Sequence, residues 1–132
     1  MTAFYGINES TFLNSYIQCM LWSTTGTSPD GEDLESLEGF DLSPEAMQKA
    51  KEECESFLIA SAALFADLPT WYGKGDGGIY VYAGHDFWLT RNRHGAGFWD
   101  RGLGDLGDRL TKLAQTYGKS DPYIGDDGLI YF

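Results

Sequence analysis

The sequence predicts an α+β fold in which a small antiparallel sheet, made of two hairpins, packs against about three helices. Three observations carry this prediction. Apolar residues recur with helical spacing in the first half of the chain, a helix-start signal stands at Ser43-Pro44-Glu45, and glycines interrupt aromatic segments in the second half. They give the element order α-α-β-β-α-β-β within a single domain of residues 1–132.

The first helix is predicted at residues 10–23, with Asn8 or Ser10 as its N-cap. Its apolar side chains form one wide stripe, made of Phe12, Leu13, Tyr16, Ile17, Met20 and Leu21. The stretch that follows is rich in Gly, Pro, Ser and acidic residues, so we expect a loop there.

The second helix is predicted to start at Pro44 and to run to about residue 68, before Pro69. Ser43 suits the N-cap position, and a proline at the first helical position favours a helix start. Residues 57–66 are apolar nearly all round, so they lie either in the centre of the core or in an interface.

The second half of the chain is punctuated by glycines and is expected to be richer in strands. Four elements are predicted there: a short strand at residues 79–82, a hairpin of residues 87–90 and 97–99, a third helix over residues 103–117 with Gly118 as C-cap, and a second hairpin over residues 123–132.

Residues 85–110 are the most unusual segment, with two Trp, both His, four Arg and four Asp in 26 residues. In the predicted hairpin, period-two alternation places Trp88 and Trp99 on the face opposite the core. Two interpretations stay open. The two indoles either pack beneath the third helix, or they form a contact surface with Arg91, Arg93 and Arg101, since Trp and Arg are common anchors of interfaces.

His85, Asp86, His94 and Asp100 are the candidates for a metal or acid–base site, but their pattern is weak. No H-E-x-x-H and no paired C-x-x-C motif is present. We expect His85 and Asp100 to form a structural hydrogen-bonded pair, and we expect no catalytic residues, metal or cofactor. The G-x-G-x-x-G pattern at residues 102–107 has no surrounding βαβ unit, which argues against dinucleotide binding.

The net charge is −11, and residues 1–48 contain eight acidic residues and no Lys or Arg. This charge disfavours direct binding to nucleic acid and to anionic membranes. The densest acidic stretch contains Asp30, Glu32, Asp33, Glu35 and Glu38. It is either a solvated loop or a surface that imitates phosphates and occupies the nucleic-acid groove of another protein.

No apolar run reaches the roughly 18 residues of a membrane span. The N-terminus lacks the basic and apolar regions of a secretory signal. Cys19 and Cys54 fall within apolar helical patterns and are expected as buried free thiols. We therefore expect a cytoplasmic protein, with homo-oligomerisation left open.

The block AGHDFWLTRNRHGAGFWDRGLGDLGDRL, followed by YIGDDGLIYF, resembles a family of small proteins encoded by phages and prophages. Its members share HDFWLTRN-x-HGAGFWDRG. This chain departs from the pattern at Arg93, where the family has Gly, and in residues 69–82. The resemblance implies a viral setting and the host cytoplasm, in which small acidic accessory proteins act by binding host proteins. No catalytic residue is carried over to this chain from the resemblance.

Three function hypotheses follow. The first is a phage accessory protein that binds a host protein stoichiometrically and inhibits a nucleic-acid-handling or defence factor, such as a CRISPR or restriction component. The second is a module that binds a ligand or single-stranded nucleic acid through the Trp and Arg side chains of the hairpin. The third is a small enzyme that uses His85, His94 and nearby aspartates.

Overall fold

Helices make up most of the molecule, and two short hairpins complete it. The computed structural model describes residues 6–75 and 77–132. The elements are α1 (Ile7–Ser23), β1 (Gly26–Thr27), β2 (Asp33–Leu34), α2 (Pro44–Ala60), α3 (Ala62–Ala66), α4 (Ile79–Arg91), a 3-10 turn (Phe98–Asp100), α5 (Asp105–Gln115), β3 (Tyr123–Ile124) and β4 (Ile130–Tyr131). The predicted α+β class is confirmed, although the order of the elements differs.

The two hairpins form separate antiparallel pairs. In the first, Gly26 of β1 faces Leu34 of β2, within the segment for which the sequence predicts a loop. The second hairpin confirms the one predicted over residues 123–132, and in it Tyr123 of β3 faces Tyr131 of β4. β1 also packs against β3, so the two hairpins lie side by side.

The crossing of α1 and α4 forms the centre of the core. Gly84 permits this close approach, because a Cβ atom there would lie 2.5 Å from the carbonyl oxygen of Phe12. The Ser15 hydroxyl donates a hydrogen bond to the carbonyl of Val81 across the same crossing. A small residue in α4 therefore sets the distance between the two central helices.

Stacked phenylalanines join α2 to this pair of helices. The rings of Phe57 and Phe87 lie 4.2 Å apart at an angle of 14°, and Phe12 stacks on Phe87 at 5.9 Å. All three side chains are fully buried. The apolar second half of α2 is divided, since Phe57 lies in this core whereas Ile59 is exposed.

The predicted start of α2 is confirmed. The Ser43 hydroxyl accepts a hydrogen bond from the amide of Ala46 at 3.0 Å, and Pro44 is the first helical residue. The Ser43 amide donates to the carbonyl of Ile130 at 2.8 Å, which ties the helix start to β4.

The end of α2 is earlier than predicted. The helix stops at Ala60, and α3 follows after Ser61 instead of one helix continuing to residue 68. The buried Ser61 hydroxyl donates to the carbonyl of Phe57 at 2.6 Å. A serine that bonds back to the preceding turn bends helices, which accounts for the interruption.

α1 and α5 confirm the helices predicted at residues 10–23 and 103–117, with shifted ends. The N-cap of α1 is Gly6 rather than Asn8 or Ser10, and its amide donates to Glu9 Oε1 at 2.9 Å. The expectation of no secretory signal rests partly on residues 1–5, which lie outside the described part. Among the described helices, none has both the length and the apolar character needed to cross a bilayer.

α4 overturns the predictions of a strand at residues 79–82 and of a hairpin made of residues 87–90 and 97–99. Residues 79–91 form one helix, and the segment around Phe98 forms a 3-10 turn. The side chains of α4 are buried or half-buried on every side of the helix, so α4 lacks the exposed polar face that marks most helices. The two faces predicted for the hairpin therefore do not exist.

The connection expected between the two strands of that hairpin begins instead as the C-terminal end of α4. The amide of His94 donates to the carbonyl of Leu89 at 3.0 Å, and the amide of Arg93 donates to the carbonyl of Thr90 at 3.1 Å. This pair of bonds is the Schellman motif that commonly ends helices. Arg93 has a φ of +57°, in the left-handed region that the motif requires.

Candidate interaction surface

Arg101, predicted as a contact residue, forms a structural ion pair. Its guanidinium donates to Oδ1 of the fully buried Asp86 at 2.8 Å, and the Tyr72 hydroxyl donates to Oδ2 at 2.7 Å. The guanidinium carbon also lies 4.8 Å from the ring centre of Tyr82. Burial, reinforced by the Asp86 charge, raises the pKa of Tyr72 well above its ordinary value. This cluster holds residues 98–104 against α4.

Arg91 is buried, which is contrary to its prediction as a contact residue. Only 2% of its side chain is exposed. The guanidinium donates to Glu53 at 2.6 Å, to the Tyr16 hydroxyl at 2.9 Å, and to the carbonyls of Tyr117 and Gly118. It therefore links α1, α2 and α4 to the end of α5 and is not available to a partner.

Trp88 is also buried, so the predicted face of two exposed indoles is wrong. Its exposed fraction is 1%, its Nε1 donates to the Ser23 hydroxyl at 3.0 Å, and its ring meets Tyr16 edge-on. Trp99 and Arg93 remain exposed. The hypothesis of single-stranded nucleic-acid binding thus loses Trp88 and Arg91 to the core and Arg101 to its ion pair with Asp86.

Thr90 and Asn92 fix the loop that follows α4. The buried Thr90 hydroxyl accepts a hydrogen bond from the amide of Phe98 at 3.1 Å, and a Cβ atom at Gly97 would lie only 2.3 Å from that hydroxyl. The Asn92 side chain accepts from the amide of Ser120 at 2.8 Å. Most polar residues of the segment that resembles phage proteins therefore have structural partners.

The histidines do not form the predicted site. Within residues 6–75 and 77–132, no hydrogen bond joins His85 to Asp100, because that pairing depends on a hairpin that does not form. The buried aspartate of this segment is Asp86, and it is bonded to Tyr72. His94 is exposed. Burial lowers the pKa of His85, which leaves its imidazole neutral at pH 7. No three His, Cys, Asp or Glu side chains in the described part are grouped closely enough to hold a metal ion.

Cys19 and Cys54 are buried free thiols, as predicted. Burial, with a smaller contribution from the charge of Asp86, raises the pKa of Cys19 to about 12. Burial raises the pKa of Cys54 as well. Both groups are protonated at neutral pH, the form in which a thiol is a poor nucleophile.

The first hairpin and the residues that follow β2 present a group of exposed carboxylates, namely Asp30, Glu32, Asp33, Glu35 and Glu38. The turn of the hairpin is ordered by Ser28, whose amide donates to the carbonyl of Glu32 at 2.8 Å and whose hydroxyl donates to Asp30. The latter bond lowers the pKa of Asp30. No arginine of the described part pairs with these five carboxylates, since the arginine ion pairs involve Glu53, Asp86 and Asp105.

The second hairpin adds two exposed carboxylates, Asp126 and Asp127. The Tyr131 hydroxyl donates to Asp127 at 2.6 Å, which lowers the pKa of this aspartate. Tyr123 stacks on Tyr131 with ring centres 5.8 Å apart and is itself exposed. We call the seven carboxylates of residues 30–38 and 126–127 the acidic edge.

A depression of about 420 Å³ adjoins the acidic edge. Its lining consists of Gln18, Cys19, Leu21, Trp22, Glu38 and His85. The amide of Leu37 donates to the carbonyl of Leu21 at 2.8 Å, which fixes the acidic segment against the end of α1. Trp22 is 65% exposed. Trp22 is not among the residues predicted as a site, although its position outside the apolar stripe of the first helix is a signal of exposure.

Comparisons of this chain with protein-family models, with curated proteins and with solved structures find no match. The resemblance to phage-encoded proteins therefore stays an expectation. The geometry and charge of the chain's own residues carry the functional conclusion.

Proposed function

We propose that the protein acts by stoichiometric binding to a partner protein, with the acidic edge as its contact surface and a basic surface of the partner as its complement. One observation supports this above the others. The first hairpin and the residues that follow β2 hold five exposed carboxylates, the turn of this hairpin is ordered by hydrogen bonds, and no arginine of the described part pairs with these carboxylates. Such a surface attracts the Lys- and Arg-lined grooves with which other proteins bind nucleic acids.

The resemblance to phage-encoded proteins favours a host protein as the partner. We infer a nucleic-acid-handling or defence factor of the host cytoplasm, in the manner of anti-CRISPR or anti-restriction inhibitors. Occupation of its basic groove would exclude nucleic acid both sterically and electrostatically.

The test compares two variants that lose the same number of negative charges. The hairpin variant carries D30N, E32Q, D33N and E35Q and leaves Glu38 unchanged. The control variant carries E52Q, D67N, D100N and D108N, which are exposed positions outside the acidic edge. Circular dichroism first establishes that both variants fold.

Each protein is used at physiological salt to capture partners from host lysate, and the captured protein is identified and purified for binding measurements. We expect a basic nucleic-acid-binding protein that the hairpin variant binds about tenfold more weakly, as four exposed charge contacts of a few tenths of a kcal/mol would give. The control variant should bind like the wild type, and duplex DNA should compete. Equal binding by both variants, or capture of no partner, would contradict the proposal.

A further inference from the structure

We infer that the depression at Trp22 binds one arginine side chain of the basic partner, with the guanidinium stacked on the Trp22 indole and its charge facing Glu38. This inference rests on the proposed function, because it names the side chain that the surface beside the acidic edge recognises. It depends on the residues that line the depression, on their charge and on a comparison with the other exposed tryptophans.

The depression has a flat aromatic wall, the Trp22 indole, and a carboxylate, that of Glu38. Trp22 is the most exposed of the described tryptophans and lines the same depression as Glu38. The Ser36 hydroxyl donates to Glu38 Oε1 at 3.3 Å and accepts from the Glu38 amide at 3.4 Å. These contacts restrain the carboxylate beside the indole.

The charge of the depression is negative, with no opposing cation in its lining. His85 contributes a neutral imidazole at pH 7 because burial lowers its pKa, and the buried Cys19 thiol stays protonated. Glu38 is thus the charged group of the lining. A cation complements this charge, whereas an anion does not.

The combination of an aromatic face and a carboxylate favours arginine over lysine. A guanidinium is planar, so it can stack on an indole while its N–H groups fork to a carboxylate. An ammonium group offers only a compact point charge. The volume of about 420 Å³ accommodates a side chain of this size.

The other exposed tryptophans provide a comparison within the molecule. Trp71 also lines a depression, but Arg109 is part of that lining and pairs with Asp105 at 2.8 Å. A resident cation there opposes the entry of a second one. Trp99 is exposed but does not line the depression at Trp22. Asp67 also lines the Trp71 depression, so a carboxylate alone does not distinguish the two depressions. Among the described residues that line them, only the Trp22 depression combines an indole and a carboxylate with no cationic side chain.

The test follows the indole N–H signals of the ¹⁵N-labelled full chain by NMR, each assigned through a Trp→Phe variant. The probe is N-acetyl-arginine amide, and N-acetyl-citrulline amide is its neutral counterpart of similar shape. We expect a saturable shift of the Trp22 signal with the arginine probe, at least threefold smaller with citrulline and in Glu38→Gln. Equal shifts of the Trp22, Trp71 and Trp99 signals, or equal responses to the two probes, would overturn the inference.

Binding to the purified partner separates this inference from the proposed function. We expect Trp22→Ala to weaken the complex about tenfold and Trp22→Phe to weaken it less. If the hairpin variant loses the partner while Trp22→Ala does not, the arginine site is wrong and the proposed function stands. If the arginine probe binds at Trp22 but the hairpin variant keeps full affinity for the partner, the proposed function fails and the arginine site stands.

Discussion

Arg93 is a single residue whose backbone conformation suits glycine. Its φ of +57° completes the end of α4, and an L-residue in the left-handed region is about 1 kcal/mol less favourable than glycine. We therefore predict that Arg93→Gly raises the free energy of unfolding by about 1 kcal/mol in urea denaturation. Arg93→Ala keeps the Cβ atom and should give no such gain, so an equal gain in both variants would point to charge rather than backbone strain.

Asp86 is the residue on which the loop after α4 depends most. It is fully buried and accepts hydrogen bonds from Tyr72 and Arg101. Because Arg101 is about one-fifth exposed, we reduce the usual effect of breaking a buried pair and predict that Asp86→Asn lowers the free energy of unfolding by about 2–3 kcal/mol. Asp100→Asn, at an exposed neighbouring position, should change it by less than about 0.5 kcal/mol. Similar effects of the two substitutions would refute this role of Asp86.

At the scale of elements, the hydroxyl of Thr90 couples α4 to the 3-10 turn, because it accepts a hydrogen bond from the Phe98 amide. Thr90→Val keeps the shape of the side chain but leaves the buried amide of Phe98 without its acceptor, so we predict a loss of about 1–3 kcal/mol. Hydrogen exchange of the Phe98 amide should accelerate together with this loss. Thr90→Ser retains the hydroxyl and should preserve the protection of that amide; loss of protection in both variants would show that packing of the methyl group dominates.

The helices that the sequence predicts well are those with local signals. α1 has a continuous apolar stripe beside polar positions, and α2 has a capping serine followed by proline. α4 lacks such contrast, since the segment IYVYAGHDFWLTR is rich in β-branched and aromatic residues and is buried on most sides. Periodicity cannot separate a buried helix from a strand in such a segment, and tertiary packing decides its conformation.

The candidate surface could be predicted only in part. The acidic residues are evident from the sequence, and Ser28-Pro29-Asp30-Gly31 is a turn signal that points to the first hairpin. By contrast, the burial of Arg91 depends on Glu53 and Tyr16, which are distant in sequence. Such partners are set by the assembled fold, which explains why reactive residue types in the most unusual segment are mostly structural.

At the scale of the whole molecule, two buried tyrosines and two buried cysteines should make the stability of the protein sensitive to alkaline pH. Burial raises the pKa values of Tyr16, Tyr72, Cys19 and Cys54 above the ordinary values of 10.0 for Tyr and 9.0 for Cys. Above those values the unfolded chain releases protons that the folded chain keeps, so stability falls as pH rises.

We therefore predict that the free energy of unfolding declines from about pH 9 and more steeply above pH 10, by up to about 1.4 kcal/mol per pH unit for each group involved. Urea denaturation at a series of pH values measures this decline. Cys19→Ala should make it shallower between pH 9 and 10. A free energy of unfolding that stays constant up to pH 11 would contradict the assignment of buried, protonated groups.

The position of the acidic edge also gives the molecule an electric dipole. Residues 1–48 hold eight acids and no base, whereas residues 49–132 hold twelve acids and nine bases, so most of the net charge of −11 belongs to the part that contains the first hairpin. In the field of the basic partner that we propose, this asymmetry would exert a torque that turns the acidic edge forward before contact. The association rate should therefore fall steeply as ionic strength rises, while the dissociation rate changes little, a difference that stopped-flow measurements resolve.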